Sequence, residues 1–247
     1  MNSQRYILII GAGSDIARPL AFLYAKAGYG IYLASRNIDK LNRDANDIQL
    51  RFNVKAQAYS FDVTETSRHQ KFYDSLPLKP FGVICLAGAL GDQKKSENDY
   101  SAAKNVIDSN FSGLVSIIHI AANDFEQRKE GFIVGVSSVA GEKGRKSNYV
   151  YASAKAGFTA FLSGLRNRLF TSHVQVLTVH PGFIRTKMIE GRETPGIITA
   201  TPEEVAKDIF TAQQSGKDFI YSKWFWRFIM LAFKMIPEPI IKKLDLK

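Results

Sequence analysis

Tyr6-Ile7-Leu8-Ile9-Ile10-Gly11-Ala12-Gly13-Ser14-Asp15-Ile16-Ala17 is the stretch on which the fold reading turns. The unbroken apolar run over 6–10 reads as a strand buried on both faces. Gly11 and Gly13 follow it at a turn where backbone can approach a ligand closely. An amphipathic pattern over 16–27 then reads as the first helix. A glycine-rich turn between a first strand and a first helix presents free helix N–H groups to an anion. The pyrophosphate of a dinucleotide is the anion that placement favours. Gly11, Gly13, Ser14, Asp15 and Ile16 are the residues this reading sets against it; without the flanking strand and helix they would read as an ordinary tight turn.

The pattern repeats outward from that turn. Short apolar runs at 31–34, 56–59, 81–86, 132–136 and 174–179 read as further strands, and amphipathic stretches at 38–52, 102–125 and 149–169 as helices between them. Such alternation predicts an α/β fold: a single-domain Rossmann-type doubly wound parallel sheet with helices on both faces and right-handed crossovers. Thr201-Pro202-Glu203-Glu204 is a helix start with a capping box, ahead of a short strand at 219–221. The Gly-, Thr- and Pro-rich stretch 187–200 reads as a mobile loop. The expected division is a dinucleotide-binding catalytic unit over 1–222 and an apolar, basic helical extension of the same domain over 223–247.

With 45% apolar residues, the 247-residue chain can build a large core. The single cysteine, Cys85, rules out a disulfide framework within the chain. The four histidines show no ligand spacing, and no metal site is expected. No apolar run reaches the roughly 18–20 residues needed to span a bilayer, and the N-terminus lacks a signal-peptide layout. The expected location is the cytoplasm or the cytoplasmic face of a membrane. The net charge of +10 favours anionic partners. Nucleic acid is not expected among them, because the basic residues are spread along the chain without a nucleic-acid-binding motif.

Ser35-Arg36 ends the second strand, where an enzyme choosing NAD usually carries an acid. A guanidinium there suits the 2′-phosphate of NADP, so NADP is favoured over NAD. Asp62-Val63, after the third strand, can meet the adenine, or Asp62 can cap the next helix. Tyr151-Ala152-Ser153-Ala154-Lys155 places a phenol and an amine one helical turn apart. A lysine beside a phenol favours the phenolate and lowers its pKa toward neutrality, and such a tyrosine can exchange a proton with a carbonyl oxygen. The spacing alone is common. Its context is specific: Ser138 ends the fifth strand, Asn110 lies in the preceding helical pattern, and Pro181-Gly182-Phe183-Ile184-Arg185-Thr186 ends the sixth.

Taken together, the glycine turn, Asp62, Asn110, Ser138, Tyr151, Lys155 and Pro181-Gly182 resemble the short-chain dehydrogenase/reductase family over essentially the whole chain. The resemblance implies that Tyr151 is the acid/base, that Lys155 lowers its pKa and holds the nicotinamide ribose, that Ser138 orients the substrate oxygen and that Asn110 supports a water relay. It also implies that Ile184 and Thr186 meet the carboxamide, positioned by the Pro-Gly turn, and that Ala87-Gly88 floors the adenosine site. Two family glycines are replaced, by Asp15 and Ala17, and the usual asparagines after the fourth strand by Cys85-Leu86. Asp15 adds negative charge near the pyrophosphate unless its carboxylate points away. A homo-oligomer is implied by analogy.

Residues 87–93, 138–148 and the aromatic C-terminus are similar to the decaprenylphosphoryl-2-keto-erythro-pentose reductase branch, which reduces a keto sugar carried on a lipid phosphate. Lys143, Arg145 and Lys146 can attract its phosphodiester, or form a solvated basic loop. Trp224-Phe225-Trp226-Arg227-Phe228-Ile229-Met230-Leu231-Ala232-Phe233-Lys234-Met235-Ile236 can lie on an anionic membrane, with Lys242, Lys243 and Lys247 adding attraction. Equally, it can pack over the substrate pocket or against another subunit. The leading expectation is an NADP(H)-dependent oxidoreductase for a small-molecule or lipid-linked carbonyl; the alternatives are a fatty-acyl ketoreductase and a non-catalytic NADP-binding sensor.

Overall fold

The computed structural model describes residues 4–189, 191 and 196–243. Seven strands form one parallel sheet: β1 (Tyr6–Ile10), β2 (Gly30–Ser35), β3 (Ala56–Ser60), β4 (Gly82–Cys85), β5 (Phe132–Val136), β6 (Gln175–Pro181) and β9 (Phe219–Ser222). Two-residue strands β7 (Phe183–Ile184) and β8 (Thr199–Ala200) pair beside it. The sheet order is β3-β2-β1-β4-β5-β6-β9. The order therefore reverses between β1 and β4, which opens a crevice at their carboxyl ends, the ligand-binding position of such sheets.

The inner strands feed two cores because successive side chains point to opposite faces. Ile7 and Ile9 pack with Leu20, Ala21, Val205 and Ile209, from α1 (Ala17–Lys26) and α8 (Pro202–Gln214). Leu8 and Ile10 pack with Leu114, Ile117, Phe158 and Leu162, from α6 (Gly113–Arg128) and α7 (Tyr149–Leu169). Burial on both faces is why these strands carry no polar alternation. The first face also holds α2 (Ile38–Phe52), and the second α3 (His69–Ser75).

Several expectations shift by a residue or two, and one changes in kind. The pattern over 102–125 resolves into α5 (Tyr100–Ile107), a π-helical turn (Asp108–Ser112) and α6. An extra residue in a helical turn leaves the apolar period nearly intact, so the sequence read it as one helix. The helix anticipated after Asp62 is α3, preceded by a 3-10 turn at Thr66–Arg68; the short α4 (Gln93–Asn98) was not expected, being too short and polar for a periodic signal. Thr201 does cap α8: its hydroxyl accepts from Glu204 N while the Glu204 carboxylate accepts from Thr201 N. The expected loop 187–200 contains two 3-10 turns and β8; residues 190 and 192–195 lie outside the described residues. Helices α9 (Trp226–Met235) and α10 (Glu238–Ile241) follow β9. Among the described residues, no helix is long and apolar enough to cross a membrane, and no cluster of three or more His, Cys, Asp or Glu is arranged to hold a metal.

Candidate active site

The crevice begins at Gly11, whose φ of +78° bends the chain away from β1. A Cβ there would lie 2.3 Å from Ala87 N, so only glycine lets this turn close against the chain leaving β4. The amides of Gly11 and Ala12 both donate to Ala34 O, fixing the turn against β2. Gly11, Gly13, Ser14, Asp15 and Ile16 line a cleft of about 470 Å³. The Asp15 carboxylate accepts the backbone N–H of Lys187 at 3.0 Å. It thus ties the glycine turn to the segment after β7, and the charge that family glycine would not carry has a partner.

Ser35, Arg36, Asp62 and Val63 line one end of the same cleft. Arg36 is exposed and near enough to Asp62 to favour its ionised form. Asp62 Oδ1 accepts from Thr64 N at 2.9 Å and Thr64 Oγ1 at 2.8 Å. These hydrogen bonds outweigh burial and hold its carboxyl below the usual range. Of its two readings, the helix cap is not realised: the next helical turn starts at Thr66, and Asp62 closes a side-chain turn ahead of it.

At the other end, Ala87, Gly88, Asn110, Tyr151, Lys155, Pro181, Ile184 and Thr186 converge. The π-turn brings Asn110 into the core, where its Nδ2 donates to Ala89 O (2.7 Å) and Val106 O (2.8 Å). Its Oδ1 is buried and without a partner. A Cβ on Gly88 would lie 2.6 Å from that oxygen and 3.4 Å from Lys155 Nζ, so Gly88 keeps both accessible. Lys155 is buried; its Nζ donates to Val136 O at 3.0 Å and lies 5.8 Å from the Tyr151 ring centroid. Among the described residues no carboxylate pairs with it, and burial pushes it down to about 8.

Tyr151 departs from expectation. Burial pushes its phenol up to about 12, with only a hydrogen bond to Ser138 pulling the other way. The lowering assigned to Lys155 is absent in this geometry because the ammonium is turned toward Val136, and desolvation of the phenolate dominates.

Tyr151 also lines a second cavity, of about 220 Å³, together with Ser138 and Gly182. Gly182, expected beside the dinucleotide, lines this cavity and not the cleft. Its walls are otherwise mostly apolar: Leu90, Val139, Phe183, Trp226, Met230 and Phe233 are prominent among them. Trp226 and Met230 of α9 are buried against Val139, so the C-terminal segment packs over this cavity. The opposite side of the same segment is exposed, with Trp224 at 69% and Met235 at 75% accessibility, and Phe228 and Leu231 between them. Lys247 lies outside the described residues.

Beneath the site runs a buried polar chain that the sequence reading missed. Glu142 Oε1 lies 3.0 Å from His180 Nδ1, and Glu142 Oε2 lies 2.6 Å from Lys234 Nζ of α9. Tyr221 also hydrogen-bonds to this carboxylate. His180 Nε2 lies 3.0 Å from Thr159 Oγ1, which with Ser137 Oγ contacts Lys155 O. No local spacing connects positions 142, 180 and 234; only the polar type of His180 inside an apolar strand hinted at a partner.

A family model described as short chain dehydrogenase matches residues 5–195. An uncharacterized oxidoreductase of Mycobacterium tuberculosis is 33% identical over 241 residues, covering 96% of each chain. The NADP-dependent 3-hydroxy acid dehydrogenase of Schizosaccharomyces pombe is 29% identical over 187 residues, covering 73% of this chain and 72% of that one. Among solved structures, a short-chain dehydrogenase from Sphingobium yanoikuyae in complex with NADPH superposes with a TM-score of 0.82 at 19% identity, covering 98% of this chain and 96% of that one.

Proposed function

The chain belongs to the short-chain dehydrogenase/reductase family of NAD(P)-dependent oxidoreductases, and from that premise we propose that it is an NADP(H)-dependent reductase of a ketone on a lipid-linked molecule, with Tyr151 as acid/base. One observation carries the reading: Tyr151 lines both the polar cleft and the apolar cavity, so its phenol stands where the two meet.

The cleft suits a dinucleotide on its own chemistry. The turn at Gly11 permits close backbone approach, Asn110 keeps an unpartnered buried oxygen, and Lys155 keeps a cation without a counter-ion. Arg36, exposed at the far end and with no acid beside it on β2, supports NADP over NAD through its fit to a 2′-phosphate. The dihydronicotinamide, when bound, supplies hydride. Gly11, Gly13, Ser14 and Ile16 would hold the pyrophosphate, with Ser35, Arg36, Asp62 and Val63 at the adenosine. Lys155, Pro181, Ile184 and Thr186 would hold the nicotinamide half; Ala87 and Gly88, which the resemblance sets beneath the adenosine, lie against Gly11 and against Asn110 and Lys155, so they would floor the middle of the dinucleotide. Gly182 would shape the substrate side, and Asp15 would act by anchoring the loop at Lys187.

Proton transfer falls to the chain's own groups. Ser138 orients the substrate oxygen toward the Tyr151 hydroxyl, and Tyr151 delivers its proton there during reduction. Lys155 stabilises the phenolate left behind, its ammonium replacing the Val136 carbonyl with a charged partner. Asn110, through its Oδ1, holds a water that returns a proton toward Lys155. A phenol pushed up to about 12 is protonated near neutrality and so holds the proton that reduction needs.

The apolar cavity supports a lipid-linked substrate, with the keto group of a polyprenyl-phosphoryl sugar as the leading case. The same lining favours a second reading, a fatty-acyl ketoreductase. The exposed face of α9, with basic Arg227, Lys242 and Lys243 around it, would rest on an anionic membrane and admit the substrate from it. The separating experiment is NADPH oxidation in mild detergent with a polyprenyl-phosphoryl 2-keto pentose or a 3-oxoacyl thioester as substrate. Turnover of the keto sugar supports the leading reading; turnover of the thioester alone transfers the enzyme to the second.

A further inference from the structure

Arg145, a cation with no carboxylate partner among the described residues, faces the apolar cavity. Arg145 lines it with Ser138 and Tyr151, and no aspartate or glutamate does among the described residues. Arg145 is half-buried, and burial pushes its guanidinium down from the ordinary value, with no opposing carboxylate among the described residues. Withdrawing an unpaired charge from water is costly, and such an arrangement is sustained where a ligand brings the missing charge.

The neighbouring basic residues are placed differently. Lys143 also lines the cavity, but its Nζ donates to Ile236 O at 2.7 Å and lies 3.7 Å from Glu238, so it fastens the C-terminal segment. Lys146 is exposed and does not line the cavity. Of the three cations expected to attract an anion, Arg145 is the one that faces the cavity with no partner among the described residues. Asn148, which lines the same cavity, keeps its Oδ1 buried and without a partner among the described residues; it is an acceptor for a hydroxyl group.

We propose that Arg145 is the anion-anchoring residue of this cavity, and that the ligand it selects is an amphipathic ketone or alcohol bearing a phosphate or carboxylate beside an apolar chain. The proposal rests on the reading of this cavity as the substrate's. A guanidinium offers parallel N–H groups to two oxygens of either anion, and the low local dielectric strengthens that contact. Trp226, Met230 and Phe233 receive the apolar chain.

Binding tests this without turnover. Octyl phosphate, octanoate and octanol are titrated into the full chain carrying Trp224→Phe, so that Trp226 emission reports on the cavity. The two anions bind at least tenfold more tightly than octanol, and their order separates phosphate from carboxylate. Arg145→Gln weakens the anions by roughly tenfold to a hundredfold, as for a charge-assisted hydrogen bond, and leaves octanol unchanged; Arg145→Lys recovers part of the loss. Equal affinities for the three probes, or an equal loss of all three in Arg145→Gln, overturns the proposal. Turnover separates it from the functional reading. Reduction of long-chain methyl ketones with no preference for a terminal anion removes the anchor and keeps the reductase. Anion binding through Arg145 with no ketone reduced keeps the anchor and removes the reductase.

Discussion

Lys155 Nζ donates to the Val136 carbonyl at 3.0 Å and has no carboxylate partner among the described residues, so a buried ammonium is held by a backbone carbonyl and the rings of Tyr151 and Phe158. Burial pushes it down from 10.5 to about 8. Since the folded value lies below the unfolded one, the charge penalises the fold below about pH 8, and the penalty fades as pH rises toward 10.5. Lys155→Met should therefore abolish turnover while leaving the protein as stable as the wild type or more so, by about 1–3 kcal/mol at neutral pH. Urea unfolding checks it: the mutant's advantage should narrow in alkali.

Glu142 makes the opposite contribution. Its side chain is 6% accessible, and bonds to His180, Lys234 and Tyr221 overcome burial to hold it below the usual carboxylate range. Such a group stabilises above its unfolded value, about 4.5, and the stabilisation is lost as pH falls through the lowered folded value. Glu142→Leu should cost about 3 kcal/mol at pH 7, because His180 and Lys234 lose a shared partner. The difference from wild type should shrink in acid, as read by thermal unfolding across pH. A deficit independent of pH would assign the loss to packing.

Arg36→Ala should weaken NADPH roughly tenfold or more, the scale of one charge-assisted contact, and leave NADH nearly unchanged. Cofactor fluorescence titration checks it. Equal losses would remove the ground for NADP preference.

On α9, Phe228→Ser with Leu231→Ser alters the exposed face and spares Trp226 and Met230 on the cavity side. Binding to anionic liposomes should fall several-fold while reduction of a soluble ketone persists. Unchanged partition would leave the membrane reading without support.

The fold was legible because β1 and its turn are local: an apolar run followed by Gly11 and Gly13 fixes the strand–helix unit wherever the rest of the chain goes. Tyr151 and Lys155, one turn apart on α7, were legible for the same reason. What escaped was non-local. Asp15 meets Lys187 across the crevice, Glu142 meets His180 and Lys234 from three elements, and Trp226 closes a cavity begun at Ser138. The tail's aromatics announced burial without saying against what, and the structure buries one side over the cavity while exposing the other. The Tyr151 phenol shows the limit most sharply: the sequence placed a cation one helical turn away, but neither the turn of that cation toward Val136 nor the desolvation of the phenol.

The central claim is that Tyr151 transfers the proton. Its direct test is NADPH oxidation with a ketone substrate by wild type and Tyr151→Phe, with NADPH affinity measured alongside. Tyr151→Phe should lose roughly 10²- to 10⁴-fold in turnover, the range for a positioned acid/base, with cofactor affinity retained. Turnover preserved in Tyr151→Phe would contradict it.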